Sequence, residues 1–456
     1  MRKTFSKHIG YPVFYKQKHY RNRLSLDWFS LLEEMRERER WSLERLQAYQ
    51  FERLKQLLIH AGRNVPYYSD LFQSCGFQPE KFQDFQELEA IPLLTKDIIR
   101  EQGERMLSSD AKSRGIYRNG TGGSTGSPLA FYQDQNYRDY QLVSSWMSDM
   151  AAGWQMGDGI ARLWGARQDV KMNTGTLFKK IENWLLHEFW FNTFNLSEEA
   201  MWHYHGVMDL HKPDILIGYA PSLYLFAKFL ESNKLQPNYP AKAIISSAEV
   251  LSPDMRKLIE QIYKVKAFDR YGSRDGGLIA YECEQHRGLH VNMQTIYLES
   301  LVQAGDDQPG RSIITQLENY AMPFIRYDIG DMLVMSDQPC TCGRGAPLIK
   351  KIMGRSEDLI TLSSGKLLVG YFITHMFLGA EGIKSFQFIQ ESLSDFTLYI
   401  VKGKAFNVAE LDSIRKDILN TLGLDRRLST VFVEEIPPTA SGKHRSVISK
   451  VPVKFG

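Results

Sequence analysis

Cysteine is scarce in this chain, with four in 456 residues. That excludes a disulfide scaffold, and Cys340 and Cys342 stand too close together to form an ordinary bridge. A reducing, cytoplasmic compartment is expected. Charge of one sign is missing too: 56 Lys plus Arg face 53 Asp plus Glu, a formal net charge of +3. So small an excess argues for no nucleic-acid partner. Long apolar runs are absent, since the stretch from Ile215 to Leu230 is broken by Gly218, Pro221 and Lys228. No membrane span is expected. Lys7, His8 and Gly10 arrive before a secretory apolar region can form after Met1-Arg2-Lys3. Internal repeats and low-complexity tracts are lacking, and nothing in the sequence fixes an oligomeric state. What remains is ordinary globular material, 43% hydrophobic and 24% charged, long enough for two or three domains.

Residues 1–60 form a helical lead-in, aromatic and basic at first. From Leu31 to Leu58 the apolar residues recur at three- and four-residue spacing, which predicts a helix ended by Asn64-Val65-Pro66. The charged run Glu33 to Arg40 is expected to be a solvated helix face. Thr95 is a helix cap, and Asn136–Met150 is a helix with Tyr137, Tyr140, Val143 and Met147 on one face. Short apolar strands (160–163, 215–217, 243–246, 267–268) then alternate with the helices 221–233 and 253–263. That alternation predicts an α/β fold with a largely parallel sheet. From Leu289 the pattern changes to strands separated by Gly and Asp turns. A smaller α+β unit follows, with strands near 386–388, 396–401 and 430–433 and a helix over 408–422. Domains are expected at 1–353 and 354–456, with a polar, Gly-containing linker at about 352–358.

Chemistry concentrates in five stretches. Asn119-Gly-Thr121-Gly122-Gly123-Ser124-Thr125-Gly126-Ser-Pro128 lies between two strand signals. Its glycines let backbone N–H groups converge, and its hydroxyls add donors, so the loop can wrap a polyphosphate. It matches neither GxxxxGK[ST] nor GxGxxG. Ser246-Ser247-Ala248-Glu249 follows a buried strand, where open α/β sheets bind ligands. Tyr271-Gly272-Ser273-Arg274-Asp275 offers a ring able to stack on a base and a carboxylate able to hold Mg2+. In Tyr327-Asp328-Ile329-Gly330-Asp331 a carboxylate is expected at a tight turn, where it can accept from both ribose hydroxyls. Pro437-Pro438-Thr439-Ala440-Ser441-Gly442-Lys443 places a lysine on a loop, able to bring charge to a reacting phosphate and withdraw it.

The set, in this order, resembles the adenylate-forming superfamily, and within it the phenylacetate-CoA ligase-like branch that includes capsular-polysaccharide-cluster members. The resemblance covers nearly the whole chain from about Phe51. It implies a large nucleotide-binding domain and a small mobile lid domain. Thr121 to Gly126 would then grip the ATP phosphates, with Ala248, Glu249, Tyr271, Gly272 and Ser273 around the nucleotide. Asp331 would hold the ribose and Arg355 would lie nearby. Lys443 would stabilise the adenylation transition state, and Asp358 would be the hinge. The implied reaction joins an organic acid, aromatic or hydrophobic, to ATP, releases pyrophosphate, and passes the acyl group to the thiol of CoA. Other acceptors are a carrier-protein thiol or a saccharide, and a non-catalytic nucleotide-binding scaffold is a rival of another class. The chain departs from the pattern at Asp275, where glutamate is usual, and at Arg274, where Ser or Thr is usual.

Three thiols and two imidazoles form a second constellation: Cys283, His286, His290, Cys340 and Cys342. Four of them make a tetrahedral Cys3His site for structural Zn2+, with His290 favoured over His286 because it leads directly into a strand. Cys75 stands apart. The segments 187–192 and 218–222, aromatic and small, are expected to wall the acyl pocket.

Overall fold

A computed structural model describes residues 25–120, 129–164, 176–193, 197–301, 309–355, 359–362, 367–369, 382–403, 405–423, 426–437 and 445–451, with residues 10, 12, 373, 376, 377 and 380. The phosphate-loop residues Thr121 to Gly126, the hinge Asp358 and Lys443 lie outside the described residues.

Most of the helices begin at a capping side chain, and Pro66–Cys75 and Ala220–Ser232 begin instead with a proline in the first turn. The helices are α1 (Trp28–Arg38), α2 (Leu43–Asn64), α3 (Pro66–Cys75), α4 (Lys96–Gln102), α5 (Gln135–Ala151), α6 (Leu177–Leu186), α7 (Glu198–His211), α8 (Ala220–Ser232), α9 (Pro253–Tyr263) and α10 (Val408–Leu422). Thr95 caps α4 by accepting from Ile98 N, as expected, and Asp134 caps α5 by accepting from Tyr137 N. The single helix expected over 31–58 is two. Ser42 accepts from Arg45 N and starts α2 afresh after a break at 39–42. Within the run expected to be solvated, Met35 is fully buried and Glu39 accepts from the Tyr281 hydroxyl and from Arg344 Nε, each at 2.7 Å. Partners more than 240 residues away in sequence decide that face.

The strands are β1 (Tyr117–Gly120), β2 (Ala130–Gln133), β3 (Ile160–Trp164), β4 (Glu188–Asn192), β5 (Ile215–Tyr219), β6 (Ala243–Ser247), β7 (Lys266–Ser273), β8 (Gly277–Glu282), β9 (Leu289–Val291), β10 (Ile296–Leu301), β11 (Gly310–Gln316), β12 (Tyr327–Met335), β13 (Leu348–Arg355), β14 (Leu359–Thr361), β15 (Leu367–Val369), β16 (Ile383–Gln390), β17 (Asp395–Lys402), β18 (Arg427–Phe432) and β19 (Val447–Ser449). Eleven of them join in one sheet, ordered β10-β11-β12-β13-β9-β8-β7-β6-β5-β3-β4. From β4 to β7 every pairing is parallel, and from β7 to β10 every pairing is antiparallel. The change of pattern therefore falls at β8, earlier than Leu289. The reason is local: Gly277 takes a positive φ of 74° and turns the chain straight back on β7.

Alternation along the parallel strands gives two apolar faces. Ile160, Ile215, Ile217, Ala243 and Ile245 pack with α1 and α5, while Ala161, Leu163, Leu216, Ile244 and Ala267 pack with α8 and α9. A third core joins α2 and α3 to the antiparallel strands. The small unit has its own four-stranded sheet, β18-β17-β16-β19, and its own core with α10. β13 runs as strand through Arg355, so residues 352–355 of the expected linker are extended sheet. No helix among the described residues is long and apolar enough to cross a membrane.

Candidate active site

Two strands that are not neighbours supply the centre of the site. On β7, Gly272 lies so close to β8 that a Cβ there would stand 2.4 Å from Gly277 O, and the β7–β8 register shifts between it and Tyr271. The Tyr271 hydroxyl donates to Asp331 Oδ2 at 2.8 Å and lies 3.3 Å from Ser312 Oγ on β11. Burial, reinforced by the Asp331 charge, holds the phenol well above its ordinary pKa, so it remains a donor. Asp331 itself is on a strand, not at the tight turn its Gly-Asp sequence suggests. Ile329, Leu333 and Val334 favour extended backbone, and Gly330 absorbs the irregularity with a φ of 85° just before the β12–β13 register shifts. Arg355 stands directly opposite Asp331 in the β12–β13 ladder, as the resemblance implies.

Asp275 closes the same region from the β7–β8 turn. It is 5% exposed, and its Oδ2 accepts from the Tyr327 hydroxyl at 2.6 Å. Tyr327, fully buried at the start of β12, is a functional contact that the sequence reading missed. Its place in the same motif as Asp331 was the available signal. Each expected carboxylate is thus oriented by a tyrosine hydroxyl.

The hairpin β1–β2 brackets the glycine-rich loop, and its register pairs Gly120 with Ala130. Gln133 helps fasten it: its Oε1 accepts from the Tyr117 hydroxyl and from Asn119 Nδ2, and its Nε2 donates to Arg274 O at 3.3 Å, while Asn319 Nδ2 donates to Tyr132 O at 3.1 Å. Asp134, next in sequence, accepts from three backbone N–H groups, of Tyr137, Tyr320 and Ala321. Ser247 ends β6, and the following Ala248 takes a left-handed φ of 68°, a strained setting for a residue with a Cβ. Ala248 and Glu249 therefore sit at the carboxyl end of a parallel strand, as expected.

Of the segments expected to wall the acyl pocket, 188–192 is strand β4 and 218–222 runs from the end of β5 into α8. Trp164, at the end of β3, meets Tyr219 at 4.9 Å and Trp190 at 6.4 Å between ring centroids. This surface is not uniformly apolar, however. Arg162 pairs with Glu188 at 3.5 Å, and its guanidinium lies 5.2 Å from the Trp190 ring centroid.

Cys283, His290, Cys340 and Cys342 converge, their ligand atoms all within 4.8 Å of one another. The connection after β8, strand β9 and the β12–β13 connection bring them together. Cys283 and Cys340 sulfurs are 3.7 Å apart, and Cys342 Sγ lies 3.3 Å from His290 Nε2. Zinc bonds of about 2.3 Å to sulfur and about 2.0 Å to nitrogen in a tetrahedron require edges of about 3.5–3.8 Å. The donor set fits such an ion. His290 Nδ1 is 3.2 Å from Ala346 O, an arrangement that directs Nε2 toward the thiols. Without a cation, burial pushes the Cys283 thiol up to about 12. A bound divalent ion reverses that preference by stabilising the thiolate. His286, the other candidate, instead faces Glu282 at 3.3 Å. Cys75 remains apart, its thiol near Phe72 O.

This sheet, with its switch between parallel and antiparallel halves and a separate small α+β unit, has the fold of the adenylate-forming enzymes. Residues 360–450 match the CapK C-terminal domain family. The chain is 23% identical to protein CapK of Staphylococcus aureus, over 88% of this chain and 89% of that one. It is also 26% identical to the phenylacetate-coenzyme A ligase of Escherichia coli, over 70% of this chain and 74% of the other. Among solved structures, 2-hydroxyisobutyryl-CoA ligase in a postadenylation state, bound to R3-HIB-AMP, superimposes with a TM-score of 0.70 at 22% identity, covering 91% of each chain. The resemblance to phenylacetate-CoA ligases and CapK therefore holds in sequence, and the fold is that of an acyl-CoA ligase of the adenylate-forming type.

With Asp331 held as it is, we expect Asp331→Ala to weaken ATP binding about 10- to 100-fold, the value of one or two charge-assisted hydrogen bonds. Titration calorimetry with ATP checks this, and unchanged affinity removes Asp331 from the ribose site.

Proposed function

We propose that the chain is an adenylate-forming ligase: a carboxylate oxygen of an organic acid attacks the α-phosphate of ATP, pyrophosphate leaves, and the acyl group passes from the acyl-adenylate to a thiol. The observation that carries this is the convergence of Tyr271, Asp331 and Asp275 from strands far apart in sequence, with Arg355 opposite Asp331. Asp331 would accept from the ribose hydroxyls. Mg2+ near Asp275 would supply charge neutralisation at the phosphates. Tyr271 and Tyr327 keep the two carboxylates aimed, so little reorganisation is needed when charge develops. The small domain from about 354 would bring Lys443 to the reacting phosphate, with Asp358 as its hinge. Trp164, Trp190 and Tyr219 favour a flat or hydrophobic acid, and the Arg162–Glu188 pair adds polar contacts beside them.

CoA is the acceptor that the phenylacetate-CoA ligase and 2-hydroxyisobutyryl-CoA ligase similarities support. A second reading, transfer to a carrier protein or a saccharide in surface-polysaccharide assembly, is favoured by one observation: the small domain matches the CapK C-terminal domain. Pyrophosphate release from ATP and Mg2+ across aryl, fatty and hydroxy acids, with and without CoA, separates the readings. Acid-dependent release that turns over only with CoA supports the ligase. Release that stalls with CoA present supports another acceptor, and no release with any acid overturns adenylation and leaves the scaffold reading.

A further inference from the structure

Helix α6 turns its apolar side outward. Leu177, Ile181 and Trp184 recur at four- and three-residue spacing, which puts them on one face of the helix. All three are open to solvent, at 75%, 50% and 54% exposure. Glu182, by contrast, is buried and pairs with Lys179 at 2.9 Å, while Leu186 at the end of the helix reaches the core that α1 and α5 share. A helix that meets only water and its own core keeps its apolar stripe inward and its carboxylates outward. Here three large apolar side chains stand together in the open beside the exposed Lys180, the mark of a docking surface.

Charge indicates what docks there. The net +3 of the chain is unevenly placed, because residues 1–24 contain seven Lys and Arg, no Asp or Glu, and five aromatic residues. The remainder is net negative. The basic stretch ends where the chain is tied to α5: Leu26 N and Trp28 Nε1 both donate to the Asp139 carboxylate, at 2.8 and 2.7 Å. Trp28 and Leu186 belong to one core, so the basic stretch ends on the side of the sheet that carries α6. A second copy docking two-fold on this face would bring another basic stretch to the same place. A nucleic acid would meet the charge but offer no apolar phase to Leu177 and Ile181. An anionic bilayer meets both, with the stripe entering the headgroup boundary and the cations facing lipid phosphates. We propose that α6 seats this protein on anionic lipid, lying in the plane of the interface, with the basic residues of 1–24 reinforcing the contact. One shallow apolar contact alone holds a membrane weakly, and a polybasic stretch is the second signal that makes attachment stable. Such attachment stands apart from the chemistry at Asp331 and Asp275, whichever acceptor takes the acyl group.

Co-sedimentation of the full chain with phosphatidylcholine vesicles, with and without phosphatidylglycerol, tests this on the wild type, Ile181→Ser/Trp184→Ser and Arg21→Glu/Arg23→Glu. Wild type should sediment with the phosphatidylglycerol vesicles, be released by high salt, and ignore pure phosphatidylcholine. Each double variant should partition about 10-fold more weakly or worse, with unchanged thermal unfolding to show that the fold is kept. Wild type that stays in solution with both kinds of vesicle overturns the proposal, as does equal binding to both. Full binding by either double variant overturns it too. A wild-type dimer that Ile181→Ser/Trp184→Ser dissociates without vesicles assigns the face to a second copy, and capture by duplex DNA that survives this substitution assigns the charge to nucleic acid; either result overturns the lipid surface.

Discussion

Replacing Cys340 with Ser is expected to release one zinc per chain and to lower the melting temperature by about 5 °C or more, the shift that about 3 kcal/mol produces in a domain of this class. The size follows from what the cluster connects. Cys283 lies just after β8 and His290 within β9, while Cys340 and Cys342 belong to the long connection between β12 and β13. Only two residue pairs join β13 to β9, Leu348 with His290 and Ile349 with Leu289. Loss of such an ion would remove a crosslink at a weakly laddered place, and would leave the two thiols of Cys283 and Cys342 crowded against His290 without compensation. Arg40 donates to Cys342 O, and Arg344 spans Glu39 and Glu284, so the end of α1 loosens with the cluster. Metal analysis and thermal unfolding of wild type, Cys340→Ser and Cys75→Ser check the expectation. Cys75→Ser should keep the metal. A wild type that carries no metal, or a Cys340→Ser variant as stable as wild type, contradicts it.

The same cluster illustrates what a sequence discloses. Spacing selected the three thiols and preferred His290, because each ligand type and its neighbouring turn are local properties. The parallel half of the sheet was legible for a similar reason: buried strands such as 215–217 and 243–246 are short apolar runs between capped helices. Less legible were features whose cause lies far along the chain. Glu39 looked like part of a solvated face, yet Arg344 and Tyr281 hold it. Asp331 looked like a turn residue, because Gly-Asp signals a turn locally, whereas pairing with β11 and β13 keeps that segment extended. Tyr327 was signalled only by its place in the Asp331 motif and Gln133 not at all, since the contacts that matter reach residues 52 and 141 positions away. The aromatic composition of 187–192 was visible in the sequence, but pairing of β3 with β4 was needed to bring Arg162 and Glu188 together beside it.

Lys443→Ala is expected to lower the rate of acid-dependent pyrophosphate release about 10²- to 10³-fold, the cost of losing one preorganised charge at a developing oxyanion. The backbone just beyond Lys443 is fixed: Gln387 Nε2 donates to Arg445 O at 2.9 Å, Phe388 N donates to Ser446 O at 2.8 Å, and Val447 then pairs with Phe388 in β16. If the small unit swings as a lid, as proposed above, a lysine two positions before such an anchor would be carried with it. Its charge would act only while that domain is turned toward the reacting phosphate. Two consequences separate this role from a structural one. ATP affinity in Lys443→Ala should change little, because the ground-state contacts proposed above are assigned to residues of the large domain. Consumption of a supplied acyl-adenylate by CoA should also persist, since the second step no longer develops charge on the pyrophosphate. Stopped-flow measurement of each half-reaction resolves the matter. Equal pyrophosphate release in variant and wild type removes Lys443 from the chemistry, whereas a loss shared by both half-reactions assigns it to domain packing instead.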